Sequence, residues 1–185
     1  MKMVLKVVTI FVMGLFLLNG SVFGQSGTLK DNIYDPGKLK PRDSDLKVKA
    51  GQKAPDFTLP AVSGKQITLS YFRGKRNVVL SFVPAAFTPV CSEQWPGYNL
   101  VKDIVPTLHA WTQQMGKVWF EVLSDFWPHG AVADKYGVLR SDGLSERALF
   151  FIDKEGIINA VIVMDINRQP DITACANELK KMNKK

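Results

Sequence analysis

Two short stretches of the chain alternate apolar and polar residues, FTL at 57–59 and QITL at 66–69, with Ser63-Gly64 between them. Alternation on both sides of a turn predicts a β-hairpin. The run NVVLSFV at 77–83 is almost continuously apolar and is stopped by Pro84. Such a run predicts a central strand buried on both faces. Helical spacing follows over 89–102 and 106–115, and 118–123 reads as a strand. Residues 125–130 are turn-rich, and 131–136 form a short helix closed by Gly137. Residues 147–153 and 157–163 read as two strands around the tight turn KEG at 154–156. Residues 171–182 have the pattern of an amphipathic helix. Strands and helices alternate early and a hairpin comes late, so the predicted class is α/β with a mixed central sheet.

The ends of the chain follow other rules. Lys2 and Lys6 precede an apolar run at 7–18, and VFG at 22–24 offers a cleavage site. Residues 1–24 therefore read as a signal peptide, with Gln25 as the mature start. An anchor over residues 4–18 falls short of the roughly 20 residues a span needs. Export places the protein in a secreted or periplasmic, oxidising compartment. Residues 25–46 are polar and punctuated by Pro36, Gly37 and Pro41, which reads as a flexible arm. Residues 47–185 then form one domain.

Composition changes this picture little. The formal net charge is +7, but its cations are interleaved with Asp and Glu. No basic block with interleaved aromatics occurs, which argues against nucleic-acid binding. Nothing in the sequence gathers metal ligands or a cofactor motif.

The cysteines carry the chemistry. There are two, Cys91 and Cys175, too few for a disulfide scaffold. Either they pair once or at least one is a working thiol. Thr88 suits a helix N-cap and Pro89 the first helical position. Cys91 then lies in the first helical turn, where unpaired N–H groups and the helix dipole favour an anion. A thiolate gains from that setting, so its pKa falls and its reactivity rises. The plain alternative is a small apolar residue packed under a helix.

The stretch PAAFTPVC at 84–91 resembles the Pro-x-x-x-Thr-x-x-Cys motif of peroxiredoxins. APDF at 54–57 resembles the segment that opens that domain, and SDFWPHG at 124–130 resembles a loop of one bacterial subgroup. Arg147, just before an apolar strand ending in Asp153, stands where the family's active-site arginine does. The resemblance implies a thioredoxin-like fold and a hydroperoxide reductase. Cys91 would be the peroxidatic nucleophile, oxidised to a sulfenic acid. Thr88 would hydrogen-bond the thiolate, Arg147 would stabilise the thiolate and the leaving oxygen, and Pro84 would shield the site from water. The alternative for Arg147 is a surface ion pair with Glu146 or Glu93. His129 reads as a turn residue or a pocket-lining one.

Cys175 resembles the resolving cysteine that some two-cysteine peroxiredoxins carry near the final helix; its position suits a core-facing residue equally. No cofactor is implied beyond an external reductant, a thioredoxin-like protein or a small thiol. The family also implies a homodimer. The chain departs from the family between Cys91 and Ser124. There it reads helix, helix, strand, where the family has helix, strand, helix, strand. About a dozen residues around 102–106, one core strand and a helical turn, are missing. That loss favours a competing reading, a degenerate thioredoxin-like protein with a binding or holdase role. A general thiol–disulfide oxidoreductase would need Cys-x-x-Cys, and position 94 is Gln.

Overall fold

A computed structural model describes residues 35–85, 120–126, 128–169 and 171–183. The segment read as a signal peptide and the helices read over 89–102 and 106–115 lie outside the described residues.

The predicted first hairpin forms. β1 (Thr58–Pro60) pairs antiparallel with β2 (Gln66–Thr68), Leu59 opposite Ile67. A 3₁₀ turn, Leu69–Phe72, follows. A second sheet has the order β3-β4-β5, with β3 Val78–Phe82, β4 Arg147–Ile152 and β5 Ile158–Met164, all antiparallel. Asp153 closes the β4–β5 turn. Its carboxylate accepts the Ile157 N–H at 2.8 Å and the Glu155 N–H at 3.1 Å.

Strand β4 is buried along its whole length, so the sheet needs cover on both faces. One face carries Ala148, Phe150 and Ile152 into a core with Leu59, Leu69, Phe82 and Tyr136. Tyr136 sits edge-on to Phe150, ring centroids 4.8 Å apart. Its hydroxyl donates to the Pro55 carbonyl at 2.9 Å, and burial pushes the phenol well above its ordinary pKa. Each large apolar side chain buried here contributes about 1.5–3 kcal/mol. The other face carries Leu149 and Phe151 against α2 (Ile172–Met182).

Strand β3 departs from expectation. It was read as buried on both faces, but Val79 is 40% exposed and Ser81 is exposed as well. Only Val78, Leu80 and Phe82 turn to the core. A continuous apolar run cannot by itself report that one face is uncovered. The strand read over 118–123 is also reduced in its described part. Leu123 makes a single bridge to Ala61, flanked by the bonds Val62 N–H to Val122 carbonyl and Ser124 N–H to Pro60 carbonyl.

The short helix α1 (Ala131–Tyr136) has the predicted bounds. The Asp125 carboxylate caps it, accepting the Val132 and Ala133 N–H groups. Gly137 ends it at φ 71°, in the left-handed region. A Cβ there would also strike the backbone of Asp45 and Lys47.

That close approach exposes the main difference from the sequence reading. From Leu39 onward, the segment read as a flexible arm is docked. The Leu39 N–H donates to Asn167 Oδ1, and Asn167 Nδ2 donates back to the Leu39 carbonyl, both at 2.9 Å. The Asp43 N–H donates to Glu146 Oε1 at 2.6 Å. The Ser141 N–H and hydroxyl both donate to the Asp43 carboxylate. The reading failed because the segment docks largely through its backbone groups, which carry no residue-type signature.

Lys40 and Ser141 hold the Asp43 carboxyl well below the usual carboxylate range. A depressed folded-state pKa adds stability above the unfolded value, lost as pH falls below about 4. Between pH 5 and pH 3 the urea midpoint of the parent is therefore expected to fall further than that of Asp43→Asn. Equal falls would contradict the assignment.

Candidate active site

Arg147 is the first residue of β4 and only 1% exposed. It is therefore not a surface cation. Of the alternative partners, Glu146 is engaged elsewhere, with Arg140, and Glu93 lies outside the described residues. Neighbouring strand residues point to opposite faces, which separates the two side chains. Arg147 Nη2 donates to the Ile166 carbonyl at 3.2 Å. A guanidinium held at that corner has its plane restricted.

The register brings this arginine to the motif's strand. Phe82 pairs with Ala148, so the chain leaves β3 beside Arg147 and reaches Pro84 within two residues. Pro84 is half-buried in the bend that follows. Pro84 and Arg147 therefore share one end of the sheet. Thr88 and Cys91 lie outside the described residues.

Cys175 sits in the first turn of α2 and is buried. Asp171 caps that helix, its carboxylate accepting the Thr173 N–H at 2.8 Å. Cys175 packs with Leu149, Phe151 and Met182. Arg147 belongs to the same row of β4 as Leu149 and Phe151, because strand side chains alternate. Arg147 and Cys175 thus share a face of the sheet. His129 is an exposed turn residue with φ 53°, beside the exposed ring of Phe126 at 6.3 Å. Among the described residues, no three His, Cys, Asp or Glu side chains gather as a metal site. None of the described helices is long and apolar enough to cross a membrane.

Sequence reasoning missed the network next to Arg147. Glu146 is fully buried and pairs through Oε2 with Arg140 Nη1 at 3.2 Å. Arg140 Nε also meets Asp142 at 3.0 Å. Burial pulls the Arg140 guanidinium down, but these two carboxylates outweigh it and hold its pKa above the ordinary value. A signal was present in RSDGLSE at 140–146, where two opposite charges flank an Asp-Gly turn. That turn closes with the Arg140 N–H donating to the Leu144 carbonyl at 2.9 Å.

Comparison with known proteins fits this geometry. The AhpC/TSA family profile matches residues 50–105 and 98–161. The two stretches overlap at 98–105, where the sequence departs from the family pattern. The chain is 38% identical over 124 residues to alkyl hydroperoxide reductase E of Mycobacterium tuberculosis, covering 58% of this chain and 80% of that protein. It is 34% identical over 146 residues to a chloroplastic 2-cysteine peroxiredoxin of Chattonella marina var. antiqua, covering 66% and 74%. The crystal structure of reduced 2-Cys peroxiredoxin from Plasmodium vivax superposes with a TM-score of 0.64 at 25% identity, covering 72% of this chain and 81% of that one. With a buried arginine at the sheet end where the Cys91 segment departs, and with these matches, the chain belongs to the AhpC/TSA family, as a peroxiredoxin of the thioredoxin-like superfamily.

Proposed function

We propose that the protein is an exported thiol peroxidase that reduces hydrogen peroxide or an organic hydroperoxide at Cys91. The observation that carries this reading is the burial of Arg147 at the sheet end from which the Cys91 segment departs. The Cys91 thiolate attacks one peroxide oxygen, and the O–O bond breaks. The second oxygen leaves as water or an alcohol after taking a proton, and the sulfur becomes a sulfenic acid. Arg147 stabilises the charge that develops on the departing oxygen. Thr88 orients the peroxide, and Pro84 keeps water off the sulfur. Cys175 then attacks the sulfenic sulfur, water departs, and a disulfide forms. A thioredoxin-like protein or a small thiol reduces that disulfide. The active form is a homodimer. Residues 1–24 act as the signal peptide, so the exported protein is expected to begin at Gln25.

The test is to mix the reduced protein with one equivalent of hydrogen peroxide and follow intact mass. Rapid formation of a Cys91–Cys175 disulfide supports the whole cycle. In Cys175→Ser the product is expected to stop at sulfenic acid, and a second equivalent of peroxide to carry it to sulfinic acid. Oxidation no faster than that of an ordinary free thiol overturns the peroxidase reading. Arg147→Lys keeps the charge but loses the fork, and is expected to slow the peroxide reaction about a hundredfold. Stopped-flow measurement under excess peroxide reads that loss.

A further inference from the structure

We propose that residues 39–43 are a positioning clamp for Arg147. The proposal rests on the assignment of Arg147 to the peroxidase site. Two groups flank this arginine: Glu146 precedes it in the chain, and the Ile166 carbonyl accepts its Nη2–H. The arm grips both. On one side, the Asp43 N–H donates to Glu146 Oε1 at 2.6 Å. Arg140 Nη1, which pairs with Glu146 Oε2, also donates to the Lys40 carbonyl at 3.1 Å. On the other side, the Ile166 N–H donates to the Pro41 carbonyl at 3.2 Å. The next residue, Asn167, holds Leu39 through its N–H and its carbonyl.

The arm thus bridges the entry of β4, the strand that carries Arg147, and the exit of β5, where the Ile166 carbonyl accepts from its guanidinium. Its hold is polar. Within 39–43 the only large apolar side chain is Leu39, which is half-buried. Releasing the arm therefore removes no core packing, and what it frees is the pair of anchors beside Arg147.

The test uses two variants of the full chain that loosen the clamp at opposite ends. Asn167→Ala removes both bonds to Leu39, and Asp43→Ala removes the grip on Ser141. Neither residue belongs to the hydrophobic core. Two second-order rate constants are measured, with hydrogen peroxide and with iodoacetamide. Alkylation needs the thiolate, but its charge departs on iodide, a large anion that accepts only weakly from a guanidinium, and no oxygen anion forms for Arg147 to meet. Each variant is expected to lose about tenfold in the peroxide reaction, the size of coupling seen between groups in one network. Alkylation at a pH where the thiol is fully ionised is expected to change by less than about twofold. In an Arg147→Lys background the same substitutions are expected to cost nothing further. Equal losses in both backgrounds, or no loss in the parent, overturn the clamp. Parent-like peroxide rates in Arg147→Lys alone overturn the clamp together with the assignment of Arg147 on which it rests.

Discussion

In Cys91→Ser, reaction with hydrogen peroxide is expected to fall by at least about 10⁴-fold, the scale on which loss of a catalytic nucleophile acts. The reason is electronic. A serine hydroxyl is not ionised near neutral pH, so there is no anion to attack the O–O bond. A thiolate stabilised as proposed for Cys91 is both ionised and polarisable. The variant keeps an internal control, because Cys175 remains. That thiol is buried against Leu149 and Phe151, and a buried thiol in apolar surroundings is slow. Peroxide consumption followed by stopped flow reads the outcome. Retention of more than about a tenth of the parent rate would place the reactive sulfur at Cys175.

Glu146→Ala is expected to lower global stability by about 3–5 kcal/mol, the cost of removing one partner of a buried ion pair. Glu146 is fully buried and Arg140 nearly so. Removing the carboxylate leaves the guanidinium with the partly exposed Asp142 and one backbone carbonyl. It also strands the Asp43 N–H, which donates to the lost oxygen. Domains of this size have about 5–15 kcal/mol in total, so the variant would be close to the unfolding threshold. Urea denaturation gives the number from the shift in midpoint. Replacing both partners with apolar residues of similar volume is expected to recover part of the loss, because no buried charge is then left alone. A loss below about 1 kcal/mol in Glu146→Ala would mean that water reaches Arg140 in place of the carboxylate.

Much of the scaffold was legible from local pattern. The hairpin at 57–69, the helix closed by Gly137, the turn at 154–156 and the final helix each have a signal a few residues long. Each formed as read. The role of Arg147 came from family resemblance, since a lone arginine before a strand reads equally well as a surface ion pair. What pattern could not show is long-range and polar. The Leu39–Asn167 pair and the Asp43–Glu146 pair join residues more than a hundred positions apart. Nothing in a run of Pro, Lys and Asp announces that its backbone groups have distant partners. Strand β3 failed for a related reason. Its apolar residues match a buried strand, but cover for Val79 is a property of what packs on it, which the strand's own residues do not encode.

The docked arm also orders events in time. A chain made from its N-terminus produces residues 39–47 early, yet Gly137, Glu146 and Asn167 come from the last third. The clasp therefore cannot close until β5 and the turn after it exist, and contacts so distant in sequence are the slow ones to form. Until then the arm is held back from its own domain. A leader at residues 1–24 would keep its freedom through that interval. The closing of the arm would then mark the moment at which the domain, and Arg147 with it, is complete.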